Sequence, residues 1–215
     1  MQMMSLRPIV LLVFISLSAY LIPECAVQAE EWKWTPGGTE QGQWMFGFRA
    51  GLASLTQSLT TNSSTDVGSL VNVQGMYGLR KWVSLGLMVE WERHAVDQDR
   101  PHIDFGHQDT VSLLPTVEVC PGRLGPIAPY ASMGFGVNVN SFGESNRISG
   151  TTISPSNNFA WRLAWGADYF LTSKLALNTE MAYKRNDGHV TINGGQIDDW
   201  NASSFGVLFG LRAFF

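Results

Sequence analysis

The carboxyl-terminal segment, residues 204–215, restricts the fold more than any other stretch. Its sequence, SFGVLFGLRAFF, alternates at period two. One face carries only apolar side chains, whereas the other alternates glycine with Leu208, Arg212 and Phe214. A strand with one wholly apolar face must place that face against something other than water. The wall of a closed transmembrane β-barrel does this without leaving an aggregation-prone edge. A buried strand of a soluble sandwich is the alternative interpretation of this segment alone.

The amino-terminal segment, residues 1–29, has the features of a secretory signal peptide. Arg7 precedes an apolar run, and Val27-Gln28-Ala29 provides a small-residue cleavage site. The apolar run is too short for a membrane anchor, and no later segment has eighteen consecutive apolar residues. We therefore expect an exported chain that retains Cys120 as its only cysteine and has no internal disulfide.

Composition narrows the class of protein further. The net charge of -4 is not the basic balance of a nucleic-acid binder, so no nucleic-acid partner is expected. The chain that remains after residue 29 is short enough for one domain. An exported membrane protein without apolar helices must cross the bilayer as a closed β-barrel.

Eight period-two segments, each long enough for a tilted membrane strand, follow an irregular lead-in at residues 30–42. Together they predict a barrel domain over residues 43–215. The segments are Gln43–Leu55, Gly68–Leu79, Trp82–Ala95, Gln108–Val119, Ala128–Asn140, Asn158–Leu171, Lys174–Arg185 and Ser203–Phe215.

The connections between these segments alternate in length. Three are short: Arg80-Lys81, Thr172-Ser173 and the Pro/Gly-rich stretch at residues 120–126. Four are longer and polar, at residues 56–67, 96–107, 141–157 and 186–202. Short turns at one end and long loops at the other predict an all-β, eight-stranded antiparallel up-and-down transmembrane β-barrel. The short turns and both chain ends would face the periplasm.

The predicted faces separate apolar from polar side chains along all eight strands, with two exceptions. Arg93 is the only charged residue on the apolar face, where its long side chain can snorkel toward the interface. Pro115 lies in mid-strand on that face and predicts a β-bulge. Aromatic residues collect near the strand ends, which is typical of girdles at the two membrane interfaces.

Several short motifs resemble the small eight-stranded outer-membrane barrels of the OmpA/OmpX type. They are Pro129-Tyr130-Ala131-Ser132-Met133-Gly134-Phe135-Gly136, the turn around Arg80-Lys81, and residues 166–172. Phe215 is similar to the terminal aromatic residue by which the barrel-assembly machinery recognises such proteins, so the resemblance implies that machinery as a partner. The family includes adhesins, structural proteins, small pores and a few enzymes. Fold alone does not choose among these functions.

Ten charged side chains fall on the inward face and form a predicted lumen ion-pair cluster. Because an unpaired buried charge is costly, we expect the two signs to pair and to fill the lumen, with Arg49 and Glu180 among the pairs. A polar pathway for small solutes is the alternative. The cluster comprises Arg49, Glu90, Glu92, Glu118, Arg162, Asp168, Lys174, Glu180, Lys184 and Arg212.

Other constellations are weaker. The second predicted loop is rich in His and Asp, but its spacing matches no compact metal site. His94, Asp97 and Ser203 could meet at the outer rim as in lipid A-modifying barrels, yet no spacing supports a catalytic triad. We therefore expect no catalytic, cofactor or metal site, and no enzymatic activity.

The predicted function follows from these expectations. We expect a monomer in the outer membrane, surrounded by membrane lipid and lipopolysaccharide, with a structural or interaction role. Its four outer loops would contact an extracellular ligand. The alternatives are a narrow pore for small solutes and a lipid A-modifying enzyme.

Overall fold

The computed structural model describes residues 33–56, 64–65, 67–99, 102–144 and 152–215. The predicted signal peptide, residues 1–29, lies outside these residues, as do parts of the first, second and third predicted loops. In the described part of the chain, no helix is both long enough and apolar enough to span a bilayer.

Eight long strands form the wall of the barrel, and six short strands lie at its two ends. The wall strands are β2 (Trp44–Leu55), β4 (Gly68–Arg80), β5 (Val83–Asp99), β6 (His102–Val119), β8 (Ile127–Glu144), β10 (Asn158–Thr172), β11 (Leu175–Arg185) and β14 (Ser204–Phe214). The short strands are β1 (Trp34–Pro36), β3 (Ser64–Thr65), β7 (Gly122–Leu124), β9 (Ile153–Pro155), β12 (Asp187–Ile192) and β13 (Gly195–Asn201).

The wall strands close into a barrel in which every neighbouring pair is antiparallel. The last strand, β14, pairs with the first, β2, and closure continues to the chain terminus. There the amides of Trp44 and Phe215 each donate to the other's carbonyl oxygen, at 3.0 and 2.9 Å. The predicted eight-stranded up-and-down barrel is therefore confirmed.

Two predicted loops are largely ordered as strands. Within the second, β5 and β6 continue as a paired hairpin up to Asp99 and His102. Within the fourth, β12 and β13 form a hairpin that pairs with β9 into a separate three-stranded sheet. The β12–β13 turn contains Asn193 and Gly194, both with positive φ, and Asn-Gly is the preferred sequence for such tight turns. Polar composition thus led to the wrong prediction of loops, because a strand in water can be polar on both faces.

Pro115 does not produce the predicted bulge. It is exposed on the outer face and pairs in register with Leu87 of β5. On its other side, the pairing of β6 with β8 stops after Leu113 and resumes at Thr116 in the same register. Because proline has no N–H to donate, the ladder is interrupted locally without an inserted residue.

The two faces of the wall differ in chemistry as predicted. Outward apolar side chains such as Leu87 and Phe209 are about half exposed, at 46% and 54%. Aromatic rings contact one another at both ends of the wall, for example Trp44 with Tyr77 and Trp161 with Tyr183. Most charged and amide side chains of the wall lie inside, so the polar core of this protein is its lumen.

The lead-in forms a strap across the end of the barrel that carries the short turns, which the sequence predicts to face the periplasm. Its strand β1 pairs with β7, and the amides of Gly37 and Gly38 donate to the carbonyl oxygens of Pro121 and Cys120 at 3.0 and 3.3 Å. Gly38 has to be glycine, because a Cβ there would lie 1.8 Å from the buried sulfur of Cys120. The predicted irregular lead-in therefore contains one short strand and packs on the barrel.

Candidate functional site: the barrel lumen

The charged residues of the lumen form a buried network that begins near the predicted periplasmic end, where the short turns lie. Arg212 binds Glu118 through both terminal nitrogens, at 2.8 and 2.9 Å, and Asp168 at 2.8 Å. Its guanidinium also lies 4.6 Å from the centre of the Tyr130 ring. The Arg212 guanidinium thus contacts two carboxylates and one aromatic ring, each contributed by a different strand.

Arg49 and Arg162 form the middle of the network. Both donate to Glu180, Arg162 to Oε1 at 2.6 Å and Arg49 to Oε2. Arg49 also donates to the side-chain oxygens of Asn72, at 2.8 Å, and Gln74, at 2.5 Å. Such charge-assisted bonds to several acceptors hold a buried guanidinium in one position.

Glu90 connects the middle of the network to its outer part. It accepts from Arg162 at 2.9 Å and lies 3.1 Å from the Lys184 ammonium. Lys184 in turn lies 2.5 Å from Glu92, whose other oxygen lies 2.5 Å from Nε2 of His94. The buried polar contacts are therefore continuous from Arg49 to His94.

Tyr130 and Asn178 join the periplasmic part to the middle. The Tyr130 hydroxyl donates to Glu180 at 2.9 Å, and the Asn178 amide donates to that hydroxyl at 2.9 Å and to Asp168 at 2.6 Å. Asp168 binds Arg212, so the network extends through most of the barrel. Neither Tyr130 nor Asn178 was among the predicted cluster residues, although both belong to predicted strands.

Nine of the ten predicted cluster residues lie in this network. Each is at most 4% exposed. The structure brings together Arg49, Glu90, Glu92, Glu118, Arg162, Asp168, Glu180, Lys184 and Arg212.

Lys174 does not join them, and its predicted position was wrong. It is exposed in the turn between β10 and β11, where its backbone amide donates to the Thr172 hydroxyl at 3.2 Å. The strand begins one residue later, at Leu175, so the side chain leaves the wall before it can point inward. His94 is instead the fifth basic group beside the five carboxylates.

An uncharged layer of amides lies on the outer side of the ion pairs. Asn140 and Asn186 exchange two hydrogen bonds, at 2.8 and 3.1 Å, and Thr110 donates to Asn140 at 2.8 Å. Asn158 donates to Asn186 at 2.7 Å and accepts from Asn138 at 2.9 Å. The alternation of Asn138 and Asn140 on the inward face was the sequence signal for this layer.

Buried apolar clusters lie at both ends of the lumen. At the outer end, Val96, Val190, Trp200 and Ala202 are buried together, and Phe142 packs against them. At the periplasmic end, the buried cluster contains Met45, Met76, Ala176 and Phe214, with Phe170 against it. The amide layer and the ion pairs therefore lie between two apolar clusters.

The weaker constellations are not assembled as chemical sites in the described part of the chain. His94 binds Glu92 inside the lumen, and the Ser203 hydroxyl accepts the Asn186 amide at 3.1 Å. The side chain of Asp97 lies outside the described residues. Among the residues described, no three His, Cys, Asp or Glu side chains are grouped to hold a metal.

Two exposed ion pairs lie near the outer ends of the strands. Arg93 donates to Asp109 at 2.7 and 2.9 Å and lies over the Trp91 ring. Arg185 donates to Asp187 at 2.6 and 2.7 Å, and these hydrogen bonds lower the pKa of Asp187. Arg93 faces outward, as the sequence predicts, but it forms an ion pair there.

Comparison with solved structures identifies the same architecture. OprG from Pseudomonas aeruginosa has a TM-score of 0.68 at 14% identity, covering 83% of this chain and 98% of that one. Neisserial surface protein A has a TM-score of 0.56 at 16% identity, covering 81% and 98%. AlkL, solved in lipid bilayers, has a TM-score of 0.55 at 15% identity, covering 86% and 96%. At these identities the likeness shows the fold alone.

The sequence itself matches a family model. Among curated protein sequences, none matches this chain at a significant level. The model of the outer membrane protein beta-barrel domain, however, matches residues 13–212, which is nearly the whole chain. The chain therefore belongs to the outer membrane protein beta-barrel domain family and is an outer-membrane barrel protein.

Proposed function

We propose that this protein is an outer-membrane barrel closed to steady solute flow, which acts through its extracellular surface. The observation that carries this proposal is the continuous buried network from Arg212 to His94. Opening the lumen would separate ion pairs in a confined space, at a cost of several kcal/mol for each unpaired charge. The apolar clusters at both ends add to this barrier.

The outer part of the barrel supports an interaction role. Beyond Arg93, strand β5 continues for six residues to Asp99, about 20 Å of extended chain. The outer apolar cluster joins this strand, through Val96, to the β12–β13 hairpin, through Val190 and Trp200. This buried cluster holds the strand and the hairpin in one arrangement. A binding surface that is already fixed loses less conformational entropy on binding than a flexible loop does.

The extracellular ligand can be sought with the intact protein in detergent. Replacing residues 188–200 by a short Asn-Gly turn should abolish capture of an envelope or host ligand and leave the barrel folded. The same replacement of the short turn at Arg80-Lys81 is the control, since that turn lies at the opposite end. Equal capture by both variants would refute a role for the hairpin.

Export by a cleaved signal peptide is part of the proposal. Residues 1–29 carry a positive start, an apolar run and a small-residue site before Glu30. The intact mass of protein purified from outer membranes should correspond to residues 30–215. A mass that includes residues 1–29 would refute cleavage.

We also propose that the protein is not an enzyme. His94 and Ser203, which a lipid A-modifying site would use, are buried and bound to Glu92 and Asn186. Mass spectra of lipid A from deletion and overexpression strains should therefore be identical. A change in acyl-chain number that depends on His94 would establish the enzymatic alternative.

A further inference from the structure

The periplasmic end of this barrel is basic. The turns and the strap contribute Lys33, Arg80, Lys81, Arg123 and Lys174. Across the described positions of these segments, Glu40 is the one acidic residue. Within the part of the chain that the structure describes, Arg80, Lys81 and Lys174 form no ion pair with a carboxylate. Their charges therefore remain available to an external anion.

A groove lies beside one of these turns, on the outside of the wall. Its volume is about 340 Å³. One side is the strap and the other is the wall, and the lining is apolar apart from one lysine. The lining residues are Pro36, Gly37, Lys81, Trp82, Val119 and Pro121.

The strap helps to create this groove. Gly37 has a φ of 86°, and a Cβ there would lie 2.9 Å from the carbonyl oxygen of Lys81. The backbone of the strap can therefore approach the turn only as glycine. The Thr39 amide also donates to the Lys81 carbonyl at 3.1 Å, which holds the strap beside the lysine.

The level of the groove relative to the membrane indicates a lipid as its ligand. Trp82 is 55% exposed beside it, and Trp44 and Tyr77 are in ring contact at the same end of the wall. Such aromatic residues mark the level of the lipid headgroups. Val119, the last residue of β6, is exposed on the outer face of the wall and adds an apolar side chain to the groove. A ligand at this level meets a cation and an apolar surface beside it.

We propose that this groove binds an anionic phospholipid of the periplasmic leaflet, with its phosphate at Lys81 and an acyl chain along Val119. A basic pocket at the headgroup level suits an anionic lipid, and the charge of Arg80, next to Lys81 in the same turn, adds to the attraction. The site does not depend on the closed lumen, since none of its residues belongs to the lumen network.

Native mass spectrometry of the purified full barrel can test the site. The protein is equilibrated with equal amounts of phosphatidylglycerol and phosphatidylcholine of the same acyl chains. We expect the wild type to retain phosphatidylglycerol in preference. Lys81→Gln should reduce this preference about tenfold, which corresponds to about 1.4 kcal/mol. Val119→Phe, which fills the groove and keeps the charge, should also reduce it.

Lys174→Gln is the matched control, because it removes one charge from another turn of the same end. It should keep most of the preference. Inorganic phosphate should not displace the lipid, since it lacks the acyl chain. If Lys81→Gln and Lys174→Gln reduced the preference for phosphatidylglycerol equally, the lipid would be held by diffuse electrostatic attraction to this end of the barrel and not by a specific site. Binding of an acyl chain in the groove would be contradicted if Val119→Phe retained phosphatidylglycerol unchanged. It would also be contradicted if inorganic phosphate displaced the lipid.

Discussion

Arg49 and Glu180 lie on strands β2 and β11, which are separated by β14, and they form a buried ion pair across that strand. Gly210 of β14 lies between them in the ladder, paired with Arg49 on one side and with Asn178 on the other. A Cβ at Gly210 would lie 2.7 Å from Cγ of Arg49. The arginine side chain therefore crosses β14 through the space that this glycine leaves.

Gly210→Ala should accordingly destabilise the barrel. The added methyl group meets both the Arg49 side chain and the Phe48 carbonyl oxygen, so the pair must shift, at about 1–3 kcal/mol. Urea unfolding in lipid vesicles measures this change. Gly75→Ala is the control, because the nearest atom to its Cβ is 3.4 Å away on the Phe46 ring. If both variants unfold at the same urea concentration, the passage over Gly210 is not needed.

Removing Glu180 should have a larger effect on stability. Glu180→Ala leaves Arg49 and Arg162 without a shared carboxylate in a site that water scarcely reaches, at a cost of about 3–5 kcal/mol. Asp187→Ala removes a carboxylate from an exposed pair and should change the free energy of unfolding little. Equal unfolding free energies for the two variants would contradict a tightly packed network.

Phe209→Arg tests the lipid-facing side of β14. Phe209 points outward near the middle of the wall, where an arginine should cost about 2–4 kcal/mol in a bilayer. Phe209→Leu keeps an apolar side chain and should cost much less. The free energy of unfolding in lipid vesicles reports both effects. If the arginine variant were as stable as the leucine variant, this face would not lie in hydrocarbon.

The orientation of the barrel can be tested with single cysteines in a Cys120→Ser background. A cysteine at Ser154 or Gly194 should react with an impermeant maleimide on whole cells, because both residues are exposed at the outer end. A cysteine at Ser173, in the β10–β11 turn, should react only after the cells are opened. The reverse pattern would invert the barrel.

Much of the wall was predictable because lipid on one side and a polar lumen on the other enforce strict alternation. This pattern identified the inward positions of Arg49 and Glu180, which belong to strand interiors. It failed for Lys174, because the period-two pattern in the sequence begins at Lys174, one residue before the strand begins at Leu175. The predicted pair of Arg49 with Glu180 is confirmed. The pattern did not predict the contacts of Tyr130, which reaches Glu180 from a strand that is not its neighbour.

The outer structure was less predictable for a different reason. Outside the membrane both faces of a strand meet water or other polar groups, so alternation no longer identifies a strand. His94 lies inside the predicted strand Trp82–Ala95 and continues the inward phase of Glu90 and Glu92, yet it was not included in the predicted lumen cluster. The turn at Asn193-Gly194 was a usable signal for the β12–β13 hairpin. The apolar cluster of Val96, Val190 and Trp200 unites distant segments and required the structure.

The central claim, that the lumen is closed, is tested most directly by single-channel recording in planar bilayers. We propose that the ion pairs and both apolar clusters fill the lumen, so the purified wild-type protein should show no stable conductance steps. Glu180→Ala should raise conductance, since it frees Arg49 and Arg162, whereas Asp187→Ala should not. Large, stable channels in the wild-type protein would contradict the closed lumen and establish the narrow pore in its place.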